Sequence, residues 1–391
     1  MTGNRQQVRE MTEVFDAIVI GAGAMGSAAA YYLSERGQRV LLLEQFELDH
    51  RLGSSYGYSR IIRYAYDHLE YVELAKDTFP LWDALQDKLG DQLVVRTGGI
   101  DFGPAGEASL EATIAAMQAS GLPYELLAPA EAMRRFPQFQ LTDDFRALYQ
   151  PDSGFVKASK AVLGHITLAA SNGAAIKDAT TVTSINLRAD SVEVSTPTGT
   201  YSAGTLVVTA GAWAKRLLEQ TGLDLPLSPL RCQLNFMAPT ELPPYEAGNC
   251  PVWIAHVGSL YPEAIYGIPS HGGSGFKIAF HGGPPFSHPS EISREPDTEN
   301  VAALRPFMRA HIPGIADAPV RESRICLYTQ TPDEHFVVDR HPAHNHVVIG
   351  AGFSGHGFKF STTIGKMLAD ISLDGATPHN DNLFKIERFL A

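Results

Sequence analysis

Three glycines and one acidic residue near the start of the chain have the types and spacing of a dinucleotide-binding turn. Gly21, Gly23 and Gly26 form the pattern G-x-G-x-x-G directly after an apolar run, and Glu44 ends the next apolar run. The first glycine permits a tight turn, the second lets the backbone approach a pyrophosphate, and the third allows close helix–strand packing. A carboxylate at the position of Glu44 binds ribose hydroxyls. These residues therefore predict an FAD or NAD site and leave open which of the two is bound.

The elements around these residues support that interpretation. Residues 17–20 predict a strand, residues 27–35 an alanine-rich helix that ends near Gly37, and residues 39–43 a second strand. In such a β-α-β unit the start of the helix presents free N–H groups and a positive dipole to the phosphates. A G-x-G-x-x-G pattern alone is weak evidence, and this context makes it specific.

Two arginines occur in a stretch of mostly apolar residues. Arg60 and Arg63 lie three residues apart in a stretch that is otherwise apolar. At helical spacing they would share one face. Their apolar neighbours, Ile61 and Ile62, leave little room for a solvated face, so we expect both arginines to point into a pocket.

The composition limits the possible partners and compartments. The net charge of −12 over 391 residues argues against nucleic acid, because phosphate binding needs a basic surface. Three cysteines without a C-x-x-C pair predict neither a disulfide framework nor a zinc site, and they favour a reducing, cytoplasmic location. No apolar run approaches the roughly 20 residues of a membrane span, so we expect no membrane partner. Residues 1–12 are polar and are predicted to be a disordered lead-in.

The middle of the chain favours FAD over NAD. Residues 181–186, 191–196 and 199–203 alternate as in a small antiparallel meander, which leads into a buried strand at 205–209. A meander that feeds such a strand is usual in FAD-binding folds, and NAD dehydrogenases usually lack it. Residues 230–327 also predict mostly strands, which suits the wall of a substrate cavity.

The predicted fold class is α/β (α+β), with a Rossmann-like FAD-binding domain and an inserted β-sheet-rich substrate domain. We assign residues 13–94, 155–227 and 333–391 to the FAD-binding domain, which is therefore discontinuous. Residues 95–154 and 228–332 are assigned to the substrate domain.

Six separated stretches resemble the monomeric sarcosine oxidase and N-methyl-L-tryptophan oxidase family of FAD-dependent amine oxidases. Besides the glycine motif, the resemblance lies in G-S-S-Y-G-Y-S-R-I-I-R, Y-G-I-P, F-K-I-A-F-H, C-L-Y-T with D-E-H-F, and G-F-S-G-H-G-F-K-F. These motifs occupy residues 53–63, 266–269, 276–281, 326–329 with 333–336, and 352–360. The last motif and the Cys-x-Tyr-Thr element are specific to this family, whereas many flavoproteins share the first.

The resemblance implies FAD as the cofactor, attached covalently to Cys326 through the 8α carbon of the flavin. It also implies that the turn at 355–357 opens a helix whose positive end faces the flavin pyrimidine oxygen. The remaining cofactor contacts implied by the resemblance are Gly21, Gly23, Gly26, Glu44, Ser54, Ser59, Arg60, Val182, Gly211, Trp213, Phe353, Gly355, Gly357 and Lys359.

The resemblance assigns the remaining roles to cations and aromatic side chains. Arg63 and Lys359 are implied to bind the substrate carboxylate, with Tyr266 and Tyr328 as cavity walls. Lys277 and Arg60 are implied to lie beside the flavin, where positive charge stabilises reduced flavin and the superoxide formed from oxygen. His281 is implied to lie near the substrate amine and to tune its protonation. The alternative for each of these residues is an ordinary structural role.

The implied reaction moves a hydride equivalent from the carbon next to nitrogen to flavin N5, after which oxygen is reduced to hydrogen peroxide and the imine is hydrolysed. A small amino acid and oxygen are therefore the expected partners, and the resemblance suggests a monomer. Sarcosine, N-methyltryptophan, other N-alkyl amino acids, cyclic amines and sugar-conjugated amino acids all stay open. So do a flavin dehydrogenase with another electron acceptor, a non-catalytic dinucleotide-binding protein and a plain NAD dehydrogenase.

The chain departs from the family pattern in two loops. Family members commonly read G-S-H-H-G-D-T-R where this chain has Ser55, Tyr56, Tyr58 and Ser59 in place of the histidines, aspartate and threonine. The loop 282–289 is also rich in glycine and proline. We expect the added tyrosines to narrow the pocket or to stack on a larger substrate side chain.

Overall fold

Strand β1 (Glu13–Ile20), helix α1 (Ala24–Glu35) and strand β2 (Val40–Leu43) form the predicted β-α-β unit. They belong to a computed structural model that describes residues 13–379 and 382–390, so the predicted lead-in at 1–12 lies outside the described residues. Gly37 follows the helix with φ +78°, and its successor Gln38 donates from its N–H to Leu33 O at 3.1 Å. This is the glycine-terminated helix end that the sequence predicts.

The other elements follow in chain order. The helices are α2 (Leu69–Leu89), α3 (Ala108–Ser120), α4 (Pro129–Arg135), α5 (Ala158–Ser171), α6 (Ala214–Glu219), α7 (Thr298–His311) and α8 (Ser361–Asp374). The strands are β3 (Arg60–Ile62), β4 (Val94–Arg96), β5 (Gly99–Pro104), β6 (Glu125–Leu127), β7 (Phe145–Gln150), β8 (Gly154–Val156), β9 (Ala175–Lys177), β10 (Ser184–Leu187), β11 (Val192–Thr196), β12 (Gly199–Val208), β13 (Ser228–Met237), β14 (Val252–Ala255), β15 (Ile265–Ile268), β16 (Phe276–Phe280), β17 (Val320–Gln330), β18 (Val337–His341) and β19 (His344–Ala351).

The first large sheet is built around β1, which pairs in parallel with β2 on one side and β12 on the other. Strand β12 is continuous: its first half closes the meander with β11, and its second half pairs in parallel with β19. Helix α1 packs against α5 and α8, where Gly365 lets α8 approach so closely that a Cβ there would lie 2.4 Å from Ala28 Cβ. The carboxyl ends of β1 and β2 thus meet beside the start of α1, as ligand binding at such a sheet requires.

The second large sheet has the strand order β17-β13-β16-β15-β14-β5-β7-β6. Its neighbouring strands are antiparallel except β5 and β14, which are parallel. Helix α7 covers it through an aromatic stack in which Trp253 lies 6.3 Å from Phe276 and 5.8 Å from Phe307 between ring centroids. These three side chains are almost fully buried, and burying a phenylalanine contributes about 1.5–3 kcal/mol.

A third, three-stranded sheet, β3-β8-β4, carries Arg60 at its start. The helical spacing considered for Arg60 and Arg63 is not what the structure shows. Arg60 is the first residue of strand β3, and Arg63 follows Ile62, where the chain leaves the sheet. The short β-branched run at 61–62 favours a strand, and its pairing with β8 fixes it.

The two large sheets draw their strands from separate ranges of the chain, and the domain assignment itself stays a prediction. All strands of the second large sheet lie within 95–154 or 228–332, and all strands of the first lie outside those ranges. The predicted boundaries near residues 94 and 154 fall inside β4 and β8, which the small sheet joins across them. No helix in the described part of the chain is both long and apolar enough to cross a membrane.

Candidate functional site

The glycine turn after β1 is a place where side chains do not fit. A Cβ on Gly26 would lie 1.8 Å from Gly21 O, and a Cβ on Gly21 would lie 2.6 Å from Thr209 O, with φ +97° in addition. Gly23 has more room, since the nearest atom to a Cβ there is Ser55 Oγ at 3.0 Å. The turn therefore brings bare backbone to the start of α1, where a pyrophosphate can approach N–H groups.

Glu44 lies next to this turn and is buried. Its Oε2 accepts from Ala22 N at 2.9 Å, and its Oε1 accepts from Phe46 N at 3.1 Å and lies 3.5 Å from His50 Nε2. The carboxylate is thus fixed in place by the backbone on both sides. Each oxygen has a second lone pair to offer, so ribose binding by Glu44 stays a prediction that the geometry permits.

One cavity of about 990 Å³ extends from the glycine turn to the second large sheet. That volume is at the upper end of the range for small-molecule sites. Two predicted residues do not line it: Gly26 packs against Gly21 and Thr209, and Ser59 is buried with its carbonyl accepting from Arg60 and Lys277. The predicted residues that do line it are Gly21, Gly23, Glu44, Ser54, Arg60, Arg63, Val182, Gly211, Trp213, Tyr266, Lys277, His281, Cys326, Tyr328, Phe353, Gly355, Gly357 and Lys359.

Arg60 and Lys277 are held beside each other by backbone carbonyls. Arg60 donates to Ser54 O at 2.7 Å, Tyr56 O at 2.9 Å and Ser59 O at 2.9 Å, while Lys277 Nζ donates to Ser59 O at 3.3 Å. Burial first, and Arg60 second, lower the pKa of Lys277 well below its usual value. Lys277 is 1% exposed, and its single weak hydrogen bond within the described residues leaves two donors for another group.

Arg63 and Lys359 meet at the ring of Tyr66. The Arg63 guanidinium carbon lies 4.7 Å from the ring centroid, and Lys359 Nζ donates to Tyr66 Oη at 2.6 Å and to His356 O at 2.6 Å. Burial, followed by the charge of Arg63, lowers the pKa of Lys359 well below its usual value. An anion in the cavity would relieve this repulsion and satisfy the third donor of the lysine, so the pair fits a carboxylate.

His281, Tyr266 and Tyr328 form an aromatic group on the same cavity. The His281 ring lies 5.4 Å from Tyr328 and 6.0 Å from Tyr266 between centroids, and the two hydroxyl oxygens are 3.5 Å apart. Burial, with smaller effects of Lys359 and Arg63, lowers the pKa of His281 to about 4. The imidazole is therefore neutral at pH 7 and has a nitrogen able to accept a hydrogen bond from an amine.

The three cysteines differ in what they face. Cys326 lines the cavity, its Sγ lying 3.9 Å from Ser54 O, while Cys232, directly opposite on the neighbouring strand β13, is fully buried and does not line it. Burial raises the pKa of both Cys232 and Cys250. Of the three thiols, which are all free, only Cys326 is placed to react with a molecule in the cavity.

The glycine-rich loop at 352–357 fits closely against these residues. Gly355 has φ +79°, and a Cβ there would lie 2.3 Å from the Tyr328 ring. The predicted helix begins later than the glycine turn: a 3-10 turn (Phe358–Phe360) comes first and continues into α8. Lys359 is in that turn, and Trp82 Nε1 donates to its carbonyl at 2.7 Å, which fixes the backbone that carries the cation.

The added tyrosines of the 53–60 loop, Tyr56 and Tyr58, both contact the guanidinium group of Arg324. The Arg324 guanidinium carbon lies 5.0 Å from the Tyr56 ring and 4.2 Å from the Tyr58 ring, and Glu322 pairs with it. Tyr56 still lines the cavity, but Tyr58 does not and is 44% exposed. The expectation that both tyrosines narrow the pocket is therefore not met by Tyr58, because cation–π contacts hold it outside.

Three polar residues of the site, Asp101, His256 and Tyr66, were not identified from the sequence. Asp101 on β5 accepts from Arg63 Nη1 at 2.8 Å and lies 3.0 Å from His256 Nε2 on the same oxygen. The only available signal was a charged residue in an apolar strand, since neither residue lies in a motif. Tyr66 was likewise unmarked, although it is the residue that joins Arg63 and Lys359.

The profile of one protein family, described as FAD dependent oxidoreductase (DAO), matches residues 16–371. The chain belongs to this family. As a member of the DAO family it is an FAD-dependent oxidoreductase, so the predicted family, fold class, cofactor and enzyme class are confirmed. The glycines that exclude a Cβ, the fixed Glu44 and the length of the cavity fit that cofactor.

Relatives of this DAO-family chain share its full length. Monomeric sarcosine oxidase of Bacillus sp. (strain B-0618) is 37% identical over 383 residues, which are 97% of both chains. N-methyl-L-tryptophan oxidase of Yersinia pestis (strain Pestoides F) is 33% identical, over 96% of this chain and 99% of that one. The open form of NikD, an unusual amino acid oxidase essential for nikkomycin biosynthesis, has a TM-score of 0.84 at 27% identity and covers 96% of this chain and 98% of its own. The first two names describe oxidases of sarcosine and of N-methyl-L-tryptophan, which are both N-methyl amino acids, in agreement with the predicted reaction class.

Proposed function

We propose that this protein is an oxidase of N-methyl amino acids that uses FAD bound covalently through Cys326. The substrate's C–N bond is oxidised to an imine, which water converts to an amino acid and an aldehyde, and oxygen is reduced to hydrogen peroxide. The observation that carries the proposal is the presence of Arg63, Lys359, Lys277 and Cys326 on one cavity. A protein that only binds a dinucleotide needs none of these four side chains.

The chain's own residues supply binding, orientation and charge. Arg63 and Lys359 hold the substrate carboxylate. The neutral His281 accepts a hydrogen bond from the N–H of the substrate amine, which fixes the orientation of the lone pair on the amine nitrogen. When bound, FAD supplies the two-electron chemistry. Arg60 and Lys277 supply fixed positive charge where negative charge develops, and the buried Lys277 offers its two free donors to oxygen.

Peroxide measurement tests the reaction. Purified protein is given sarcosine, N-methyl-L-alanine and N-methyl-L-tryptophan in an oxygen electrode, with peroxide and aldehyde measured in the same samples. We expect one peroxide and one aldehyde for each oxygen consumed. Turnover with an artificial dye but without oxygen consumption would contradict the oxidase and point to a dehydrogenase.

Acid precipitation tests the covalent link. We expect yellow colour in the pellet of the unmodified protein and in that of Cys232→Ser, the matched control on the adjacent strand. Cys326→Ser should release its colour to the supernatant. Colour that is released from the unmodified protein would rule the link out. The monomeric state and the cytoplasmic location stay predictions, which sedimentation and fractionation can check.

A further inference from the structure

Asp101 is a buried carboxylate that does not itself line the cavity but lies directly behind Arg63 and His256, which do. It is 4% exposed, and its Oδ1 accepts from Arg63 Nη1 at 2.8 Å. Because a carboxylate only accepts hydrogen bonds, His256 Nε2, 3.0 Å away, donates to the same oxygen. His256 Nδ1 lies 2.9 Å from Ser109 Oγ, so the imidazole is fixed from both sides. Asp101 Oδ2 makes no hydrogen bond to the described residues.

The charges around this carboxylate suit one substrate anion. Among the described residues, Arg63 and Lys359 are the cations that contact Tyr66 at this end of the cavity, and Asp101 compensates Arg63 in a largely buried ion pair. One uncompensated positive charge is left, which a single substrate carboxylate neutralises. A second carboxylate on the substrate would have no cation of its own and would lie in the field of Asp101.

The described carboxylates that line the cavity do not act in this way. Asp67, Asp333 and Glu334 are exposed, so water and salt screen their charge. Glu44 is buried and Asp49 is half-buried, but both lie at the nucleotide end, where backbone N–H groups hold Glu44. Asp101 is therefore the carboxylate whose field reaches the substrate end with the least screening.

We propose that Asp101 determines the charge selectivity of the site: it admits amino acids with one carboxylate and rejects those with an acidic side chain. This inference rests on the proposed function, because it takes Arg63 and Lys359 as the carboxylate site. Asp101 acts through its charge on the substrate and through its hold on Arg63, and His256 positions it.

The test compares substrates of equal shape and different charge. The ratio of kcat/KM for N-methyl-L-glutamate to that for N-methyl-L-glutamine is measured in the unmodified protein and in Asp101→Asn. We expect a ratio of about 0.1 or less in the unmodified protein, because repulsion between the buried Asp101 carboxylate and a second substrate carboxylate should lower kcat/KM about tenfold or more. Asp101→Asn should raise the ratio at least tenfold. Because each ratio is taken within one protein, differences in folding or flavin content cancel.

Asp339→Asn is the matched control. Asp339 is also a largely buried carboxylate with a cationic partner, Lys385 Nζ at 3.2 Å, but this partner does not line the cavity, whereas Arg63, the partner of Asp101, does. Its ratio should equal that of the unmodified protein. A ratio near one in the unmodified protein overturns the proposal without any variant, and so does an Asp101→Asn ratio that has not moved.

A binding measurement separates this inference from the proposed reaction. Glutarate and glutaramate, which cannot be oxidised as amines, are titrated against the flavin-containing protein and followed by flavin absorbance. Glutaramate should bind at least tenfold more tightly, and Asp101→Asn should reduce that preference. If no N-methyl amino acid is oxidised while this preference holds, the reaction fails and Asp101's selectivity stands. Equal binding of the two acids overturns the selectivity whatever the reaction.

Discussion

The two ends of the cavity are built by different means. At the nucleotide end, Gly21 and Gly26 have no space for a Cβ, and the contacts made by Glu44 are to backbone N–H groups. At the substrate end, the binding groups are charged side chains: Arg63 is hydrogen-bonded to Asp101, and Lys359 is hydrogen-bonded to Tyr66. Cofactor binding at the nucleotide end therefore requires positions without a side chain, and substrate binding at the other end requires charged side chains.

That difference predicts two kinds of failure. Adding a methyl group at the nucleotide end should prevent cofactor binding altogether, because backbone atoms cannot move aside cheaply. Changing a charge at the substrate end should leave the cofactor in place and alter rates or affinities by defined factors. Experiments that measure flavin content and kinetics on the same samples can distinguish these outcomes.

The largest effect is expected for Gly26→Ala. The new Cβ would lie 1.8 Å from Gly21 O and 2.5 Å from Thr209 Oγ1, so the turn and helix α1 must separate. We expect a loss of bound flavin and of about 3 kcal/mol or more of unfolding free energy. The 450 nm to 280 nm absorbance ratio and denaturant unfolding measure the two.

Gly37→Ala is the control for this substitution. Gly37 also has positive φ, but a Cβ there meets no atom within 4 Å. It should cost about 1 kcal/mol of backbone strain and retain full flavin content. Equal flavin content in Gly26→Ala and Gly37→Ala would contradict the steric account of the nucleotide end.

The next effect belongs to the charge beside the flavin. Lys277→Met removes a fully buried cation while keeping the length of the side chain. We expect the reaction of reduced flavin with oxygen to slow by about 100- to 1,000-fold with flavin content unchanged. Stopped-flow reoxidation measures it, with Lys160→Met, an exposed lysine paired with Asp91, as the control. Reoxidation at the unmodified rate would remove Lys277 from the oxygen reaction.

The nucleotide end of the cavity could be predicted from the sequence more completely than the substrate end. The nucleotide end lies within a short span from Gly21 to Glu44, where local spacing encodes a strand, a turn, a helix and a strand. Local physics therefore predicted its fold, and the cofactor contacts of these residues stay predictions. The strands of the second sheet were also largely predicted, because alternation and turns are local signals.

The substrate end could not be derived that way. Arg63, Asp101, His256 and Lys359 come from segments far apart in the sequence, and no periodicity relates them. A family resemblance supplied Arg63 and Lys359. Asp101 and His256 were missed because they lie in no recognised motif, and a lone aspartate in an apolar strand has many explanations. The role of Asp101 becomes visible only in the folded structure, where β5 places it against Arg63 and His256.

A smaller effect is expected when a cation of the substrate end is removed. Lys359→Met takes away a donor that is 6% exposed and leaves Arg63 in place. We expect KM for an N-methyl amino acid to rise about 10- to 100-fold, because the loss of one charge-assisted hydrogen bond weakens binding by about this factor. The methyl ester of the same substrate is the internal control, because it has no carboxylate for Lys359 to hold. An equal loss for acid and ester would mean that the variant has disturbed the cavity generally.

The smallest effect concerns pH and compares a cavity histidine with a core histidine. Burial, ahead of Lys359 and Arg63, lowers the pKa of His281 to about 4, and burial lowers that of His165 to about 3. Because the unfolded chain binds protons near pH 6.5 and the folded histidine does not, the stability that each contributes declines as pH falls from about 6.5 to its folded value. Above pH 6.5 neither has an effect.

His281→Asn should therefore flatten the acid side of the stability curve. Between pH 6.5 and pH 4 we expect the variant to lose up to about 3 kcal/mol less unfolding free energy than the unmodified protein. His165 is present in both proteins, so its contribution cancels, and denaturant unfolding at several pH values measures the difference. A saturating monocarboxylate should reduce this difference, since it neutralises the charge of Lys359 and Arg63 that helps to lower the pKa of His281. Parallel curves without the acid would show that folding does not lower the pKa of His281. A difference that the acid leaves unchanged would show that Lys359 and Arg63 do not contribute to the lowering.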